Sequence, residues 1–555
     1  MRSCNLAILV LLLSFVIPTV WGLDVEVNKT GAVKTIQDAV DKIGDQGGTV
    51  TITDSSVYEE TVLIGKDSAR WGKPITITSN KTGAQRPVIS PQTALGPYTE
   101  VHSTERITGV AVFTDGCNIS NLVVEANPDT GANGSQALFI LADNVVVDNV
   151  LFRPRAGTTG TVLFPNSLVF LAQEGAGGSA DAGGRNCNNT IIRNCDFMGV
   201  ATDAQAEPTA DDTGFLNDGE NGQSATFIRT DHYTNSDNQV VTVTVEKCTF
   251  RYSYDAGLFF SNRSGGAGKL TLNVRDCFFD AFGKFQVGMR GCWLNAERCI
   301  FSRACQGNNG DGENSAIRVQ EQDGRIPDAN ISNCLFVNCG STNAQKAYYG
   351  GVNNHNGGIV NVNHCTFDLC VSGVTLNEPK PESELNVSNC IFSRIGYNTS
   401  PAVDVQGFLL SANKPFPAWQ SDHYAAGTKF SAVFNKYKNT ADGVLKAKNC
   451  IVWDIANEDK SEFDPAADPT GTRLAAGEVQ MDGVQLVDPK LTNLNYAQSK
   501  PYELSAGSPA IDKAITALPD PGQLDLDGTA RIVGKAADIG AQEFAGTAVQ
   551  DWSIR

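Results

Sequence analysis

The chain has 555 residues, of which 41% are hydrophobic, and it carries a formal net charge of −18. Proteins that bind nucleic acid need a basic face for the phosphates, so this charge argues against a nucleic-acid partner. Its 54 glycines and only four methionines are typical of a chain rich in tight turns and β-structure.

Residues 1–22 have the features of a secretory signal peptide. Arg2 precedes an apolar run from Leu6 to Val20, and Val20-Trp21-Gly22 offers a small residue at the expected cleavage site. The run is short and interrupted by serine and proline, so a retained anchor is the less favoured alternative and the mature chain is expected to have no membrane span. We therefore predict a secreted or cell-surface protein, with the periplasm as a further location.

Residues 23–105 are predicted to form an N-terminal cap and the first coils of a repeat stack. Within Thr35-Ile36-Gln37-Asp38-Ala39-Val40, the apolar residues have helical spacing, which predicts a short amphipathic helix that closes the stack. Period-two alternation over Gly48–Ile52 and Pro74–Thr78 predicts two strands.

Residues 106–480 contain a repeated strand-like sequence motif that ends in Cys-x-Phe or a close variant. Successive repeat cysteines fall mostly 22 to 35 residues apart, and two larger gaps of 53 and 60 residues are each expected to hold two units. Strand-like repeats of this length predict an all-β solenoid, in which each coil buries its apolar face against its neighbours. The repeat cysteines are Cys195, Cys248, Cys277, Cys299, Cys334, Cys365, Cys390 and Cys450.

Many cysteines in an exported protein would normally predict disulfides. Here each repeat cysteine follows an alternating strand and precedes an apolar residue, which favours a reduced internal ladder over disulfides, and over a metal cage. Second cysteines at Cys305, Cys339 and Cys370 are nearly in register with one another.

Insertions at 174–186, 202–223, 303–314 and 407–443 are predicted to be loops. Residues 481–555 are predicted to be a separate terminal segment.

The coil pattern, the capping helix and Gly72-Lys73-Pro74-Ile75-Thr76-Ile77 resemble the right-handed parallel β-helix proteins of the pectate-lyase-like superfamily. The end of the chain, from Gly507-Ser508-Pro509 to Asp538-Ile539-Gly540, is similar to the terminal segment of exported bacterial β-helix proteins. The superfamily includes polysaccharide lyases, glycoside hydrolases, esterases and noncatalytic adhesins, so the resemblance implies a fold but not one activity.

The catalytic motifs of that superfamily are not matched. The Gly-His-Gly and Arg-x-Lys triplets of polygalacturonase-type hydrolases do not occur, and the paired Asp and Gln of pectin methylesterases find no match. The closest string to the Arg-x-Pro-x-x-Arg element of pectate lyases is Arg153-Pro154-Arg155, which is incomplete and out of place, so a strand end that meets a turn is the favoured interpretation. The acidic loop run Asp311-Gly312-Glu313 offers oxygen ligands for Ca²⁺, although it matches neither a nonapeptide repeat nor an EF-hand loop.

Strand alternation itself gives a better candidate site. If Ile317 and Val319 point into the core, Arg318 and Gln320 point outward, and the aligned residues of neighbouring coils extend this into rows spaced about 4.8 Å apart. We predict that the catalytic residues are Arg290, Arg318 and His355. The predicted substrate-binding residues are Gln320, Asn353, Asn377, Asp404, Arg229 and His232.

These rows predict an exported protein that binds a polysaccharide and, if catalytic, favours β-elimination beside a uronate. Elimination needs a group that neutralises the uronate carboxylate and a base that removes the adjacent proton. Arg can serve as the first and His as the second. Hydrolysis is less favoured because a dense carboxylate cluster is missing from the sequence pattern. The alternative is a noncatalytic cell-surface, matrix or adhesion protein whose coils form a rigid rod.

Overall fold

The computed structural model describes part of the chain, and three long parallel sheets organise that part. Each coil contributes one strand to sheet A, then one to sheet B and one to sheet C, before the next coil begins. This order makes the molecule a right-handed parallel β-helix, as predicted. The described residues are 22–65, 72–91, 108–127, 136–155, 167–172, 187–199, 226–232, 240–253, 256–262, 268–282, 284–304, 315–340, 350–370, 372–395, 433–437, 442–454, 479–497, 499–515 and 524–544.

The strands stack coil upon coil within each sheet. Sheet A contains Leu23–Val27, Gly48–Ile52, Ile75–Ser79, Asn118–Ser120, Val146–Asp148, Thr190–Arg193, Val240–Glu246, Lys269–Arg275, Trp293–Glu297, Ala329–Ser332, Ile359–Asn363, Glu384–Ser388, Val444–Lys448 and Val479–Asp482. Sheet B contains Val57–Tyr58, Val88–Ile89, Val123–Ala126, Leu151–Pro154, Asp196–Met198, Thr249–Ser253, Phe278–Phe282, Ile300–Ser302, Leu335–Val337, Thr366–Asp368, Ile391–Ser393, Ile451–Trp453 and Gln485–Leu486. Sheet C contains Val62–Ile64, Thr108–Val112, Gln136–Ile140, Ser167–Leu171, Thr226–His232, Leu258–Asn262, Val287–Arg290, Ile317–Gln320, Val352–His355, Val374–Asn377 and Phe434–Tyr437.

Two in-register ladders fill the core where sheet A turns into sheet B. The eight repeat cysteines are buried free thiols, as predicted, and thiols of successive coils lie in contact from Cys195 to Cys450. Burial raises the pKa of Cys299, Cys334 and Cys365, so these thiols stay protonated and pack as small apolar groups. The phenylalanines two residues later stack with ring centroids 4.5–5.0 Å apart.

The expectation that the two larger cysteine gaps each hold two coils is wrong. Asp196–Met198 pairs directly with Thr249–Ser253, and Ile391–Ser393 pairs directly with Ile451–Trp453. Each gap is therefore one coil with a long inserted segment. A parallel β-helix tolerates this because the register is set by the strands, while inserted residues leave the stack at a turn.

The predicted capping helix is present as Ile36–Ile43 and closes the N-terminal end of the stack. Thr35 Oγ1 accepts the N–H of Asp38 at 3.1 Å, and the Glu60 carboxylate accepts the N–H groups of Ile36 and Gln37 at 2.9 and 3.0 Å. Gln37 also accepts the N–H of Leu63 at 2.7 Å, so its side-chain amide caps the exposed edge of sheet C. Short 3₁₀ turns occupy Gly44–Gln46 and Gly83–Gln85.

The chain after residue 486 returns along the outer face of sheet B. It includes the antiparallel pair Leu491–Thr492 and Glu503–Leu504. Its apolar residues pack on the outward row of sheet B, which consists of the middle residues of the Cys-x-Phe repeats. The apolar row members that contact this segment are Phe278, Ile300, Leu335, Ile391 and Ile451.

Arg531 anchors this returning segment in a buried polar cluster. Its guanidinium donates to the carbonyl oxygens of Asp538, Gly540 and Ala541, and it contacts the ring of His364 from the coil beneath. The Glu543 carboxylate lies 3.9 Å from Arg531 Nε. Elsewhere along the segment, Tyr502 donates to Asp368 at 2.6 Å and the Ala541 N–H donates to Thr366 Oγ1 at 3.0 Å.

This cluster predicts that stability is greatest on the acid side of neutrality. Burial raises the pKa of Glu543 from 4.5 to about 8, so stability falls as pH rises between these values because the native state retains a proton. Burial, with Arg531 beside it, lowers the pKa of His364 from 6.5 to about 3, so stability falls as pH drops below 6.5. The two effects cancel between pH 4.5 and 6.5.

Urea unfolding across this pH range is expected to show a plateau between pH 4.5 and 6.5. Above it, stability should fall by at most about 1.4 kcal/mol per pH unit for this one proton. The substitution Glu543→Gln should remove the alkaline decline, and His364→Gln should remove the acidic one. Stability that rises steadily from pH 6.5 to 8 would contradict this assignment.

Within the described part of the chain, no helix is both long and apolar enough to cross a membrane.

Candidate functional site

The outer face of sheet C presents two rows of side chains. In the strand Ile317–Gln320, Ile317 and Val319 are fully buried in the core, while Arg318 and Gln320 belong to the outward rows, as predicted. One row runs Leu63, Ala111, Phe139, Phe170, Arg229, Phe259, Gly288, Arg318, Asn353 and Thr375, and residue 435 follows in backbone register. The other runs Ser261, Arg290, Gln320, His355 and Asn377, and residues 231 and 437 lie in backbone register at its two ends.

The character of this face changes along the stack. In the early coils it is apolar, and Phe139 and Phe170 stack with ring centroids 6.0 Å apart in a small cluster with Phe113 and Leu141. From Arg229 onward the rows are dominated by guanidinium, amide, hydroxyl and imidazole groups. The polar part spans six successive coils, so its groups can contact several units of an extended ligand.

Much of the polar part is buried although it faces outward, while Arg229, Arg290 and Gln320 are partly exposed. Ser261, Asn353, Thr375 and Asn377 have no exposed surface, and Arg318 is 4% exposed. Among the residues that the structure describes, neither the Oδ1 nor the Nδ2 atom of Asn353 finds a hydrogen-bond partner, and the Ser261 hydroxyl finds none either. A buried polar group without a partner costs about 1–3 kcal/mol. These atoms are therefore candidates to form hydrogen bonds with a bound ligand.

A contact chain links three side chains of adjacent coils. Arg318 Nη2 lies 3.3 Å from His355 Nδ1, and His355 Nε2 lies 3.3 Å from Glu378 Oε2. Arg318 and His355 were predicted from alternation, whereas Glu378 was not. Glu378 follows the last residue of its strand and has a left-handed backbone with φ 46°. The direction of its side chain therefore does not follow the in-and-out alternation of the strand residues.

A second set of contacts surrounds Phe259. The guanidinium carbons of Arg229 and Arg290 lie 5.9 and 5.2 Å from the centroid of its ring. Both distances are within the range of cation–π attraction, so the ring positions these two guanidinium groups on the outer face. The sequence contained the signal for Phe259, because it is the outward residue between Leu258 and Phe260.

Most of the predicted site residues lie together on this face. Arg290, Gln320, His355 and Asn377 share one row, while Arg229, Arg318 and Asn353 share the other. Residue 232 ends its strand in register with Asn262, outside both rows, and the side chain of His232 lies outside the description. Asp404 also lies outside the described residues, and the position beside Thr375 is taken by Asn435.

One further expectation for this region needs correction. Phe434–Tyr437 lies inside the segment 407–443 that was predicted to be a loop, yet it forms a strand that pairs with Val374–Asn377. Arg153, from the incomplete Arg-x-Pro-x-x-Arg element, lies on sheet B and bonds Glu125 at 3.0 Å.

The described residues on this face do not fit a calcium site. In the described part of the chain, no three His, Cys, Asp or Glu side chains converge as metal ligands. Calcium prefers six to eight oxygen ligands with several carboxylates, whereas here Glu378 contacts His355, and the guanidinium group of Arg318 on the other side of that ring repels a divalent cation. The acidic run at 311–313 lies outside the described residues.

No protein-family model and no curated protein matches this chain. Among solved structures, it is similar to pectate lyase Pel9A, with 10% identity, a TM-score of 0.42, and coverage of 95% of this chain and 98% of that one. The PL6 family polysaccharide lyase Pedsa3628 from Pseudopedobacter saltans has 14% identity, a TM-score of 0.37, and coverage of 82% and 98%. The Streptococcus pneumoniae surface protein and adhesin PfbA has 11% identity, a TM-score of 0.33, and coverage of 81% and 92%. These similarities concern the fold only, which the strand order of the three sheets already defines.

Proposed function

We propose that this protein binds an acidic polysaccharide along the outer face of sheet C and cleaves it by β-elimination beside a uronate. The single observation that carries the proposal is the outward-facing cluster of half-buried Arg290 with buried Arg318, His355 and Asn353 in a chain of net charge −18.

The charge distribution supports an anionic ligand. A strongly acidic protein repels a polyanion at long range, so binding depends on a local cationic region whose field is concentrated by low-dielectric surroundings. Arg229, Arg290 and Arg318 supply three guanidinium groups on one face within four coils. Guanidinium binds carboxylate through paired hydrogen bonds, which gives both affinity and orientation.

The neutral groups support a sugar rather than a simple anion. Within the described part of the chain, the amide of Asn353 has a free donor and a free acceptor, and the hydroxyl of Ser261 lies three coils away on the other row. Sugar hydroxyls are both donors and acceptors, so they can satisfy each of these groups in turn. Repetition at about 4.8 Å along the stack suits a linear polymer.

The proposed reaction follows from the placement of charge and base. Arg318 neutralises the uronate carboxylate, which acidifies the proton on C5 and stabilises the charge that develops in the transition state. His355 removes that proton, the C5–H electrons form the C4–C5 double bond, and the C4–O4 bond breaks. The leaving oxygen takes a proton from water, and the hydroxide that remains accepts the proton held by His355.

The test is ultraviolet absorbance of the unsaturated uronate product across a panel of acidic polysaccharides, each with and without chelator. The expected result is a rise on at least one uronate-containing polymer that persists in the chelator. A flat trace with no release of reducing ends on any polymer would overturn cleavage. Retention of polymer on the immobilised protein would then indicate a noncatalytic binding protein, and no retention would overturn the binding proposal too.

A further inference from the structure

We propose that Glu378 and Arg318 hold His355 as a base that becomes available only when a free uronate carboxylate draws Arg318 away. This inference rests on the proposed function and identifies the preferred substrate as a polymer with unesterified carboxylates. Glu378 is a positioning residue in this scheme, since it acts through His355.

Hydrogen-bonding chemistry fixes the state of the imidazole. A guanidinium group has only donors, so the 3.3 Å contact from Arg318 Nη2 requires His355 Nδ1 to be an unprotonated acceptor. The ring proton must then be on Nε2, which lies 3.3 Å from Glu378 Oε2 and donates to it. In a doubly protonated ring, the Nδ1–H donor would face the N–H donors of the guanidinium group, and no hydrogen bond could form. The ring in this arrangement is therefore neutral.

This arrangement orients the base and also blocks it. Glu378 fixes the ring orientation through Nε2 and stabilises the imidazolium that forms when Nδ1 takes a proton. Arg318 meanwhile occupies the Nδ1 lone pair that the reaction needs. A carboxylate binds guanidinium more strongly than a neutral imidazole does, so an arriving uronate is expected to shift Arg318 and release Nδ1.

The backbone at Glu378 gives independent support. Its φ of 46° is in the left-handed region, which is costly for a glutamate. At the same place after the strand, neighbouring coils have Gly291 and Asn356, residues that adopt this region more readily. The glutamate side chain is therefore kept where another residue type would be more stable, as expected for a residue with a role at the site.

Three variants separate a positioning role from a structural one. Glu378→Asn suits the left-handed backbone but is too short to reach His355, and we expect unchanged or greater stability with kcat lowered on the order of 10²-fold and KM changed little. Glu378→Gln keeps an acceptor for the Nε2–H of His355, so its kcat should fall less than that of Glu378→Asn. Glu321→Gln is the matched control, because Glu321 follows its strand at the same edge but pairs with Lys380 at 3.2 Å.

The ring state has a readout that needs no substrate. Two-bond ¹H–¹⁵N correlation of histidine-labelled full-length protein, assigned with His355→Gln, should show His355 with its proton on Nε2, and Glu378→Asn should weaken that preference. A proton on Nδ1 in the wild type would overturn the proposal. So would equal cleavage of a polymer and its methyl-esterified form. A wild type inactive on every polymer but with the expected ring state would overturn the reaction while leaving the hydrogen-bond assignment intact.

Discussion

Replacing Arg318 with alanine is expected to lower kcat/KM on the cleaved polysaccharide by about 10²–10³-fold, because one preorganised charge at the transition state is lost. The β-helix should stay folded, since the core contacts of this strand come from Ile317 and Val319. Arg318→Lys should recover part of the activity, because it restores the charge but not the planar pair of donors. Initial rates and circular dichroism on the same preparations provide the measurement.

The matched control for this prediction is Arg275→Ala. Arg275 is exposed on the outer face of sheet A, so its removal changes the net charge equally without touching the outer face of sheet C. Equal losses in the two variants would mean that bulk charge matters and that Arg318 has no specific role. Unchanged turnover in Arg318→Ala would remove this residue from the site.

Replacing Arg531 with alanine is expected to have the largest effect on stability, at about 3–5 kcal/mol. The substitution leaves three buried carbonyl groups without their donor, and each unsatisfied buried acceptor costs about 1–3 kcal/mol. We expect the returning segment to detach from sheet B and expose the apolar row headed by Phe278. Urea unfolding measures the loss, and limited proteolysis should then cut between residues 486 and 544.

Lys535→Ala is the control, because Lys535 lies in the same segment and its side chain is exposed. It should change stability by no more than about 0.5 kcal/mol. An Arg531→Ala protein that resists proteolysis as well as the wild type would show that apolar packing alone holds the segment in place.

The alternation of side chains predicted the fold and much of the candidate face. It placed Ile317 and Val319 in the core and Arg318 outward, because strands in a stacked sheet have a strict period of two. It failed where a long insertion separates strands. Phe434–Tyr437 pairs with sheet C although it lies in a segment predicted to be a loop, because the local pattern does not show where an inserted segment rejoins the stack.

The middle residue of each Cys-x-Phe repeat carries a sequence signal for the covered part of sheet B. It is polar at Asp196 and Thr249 and mostly apolar from Phe278 onward, where the returning segment covers sheet B. Glu378 could not be placed in the same way. Its left-handed backbone turns the side chain out of the alternation, and its contact with His355 depends on the pairing of neighbouring coils.

The thiol ladder has a consequence for how this protein must be made. Nascent coils expose cysteines that the finished stack shields completely, so an oxidant that arrives before the stack closes can cross-link thiols that never pair in the native molecule. Folding and oxidation therefore compete, and yield from an oxidising compartment or refolding buffer should improve when reductant is kept until the coils have formed. Once they have, the same thiols should be inert to alkylating reagents until the coils open.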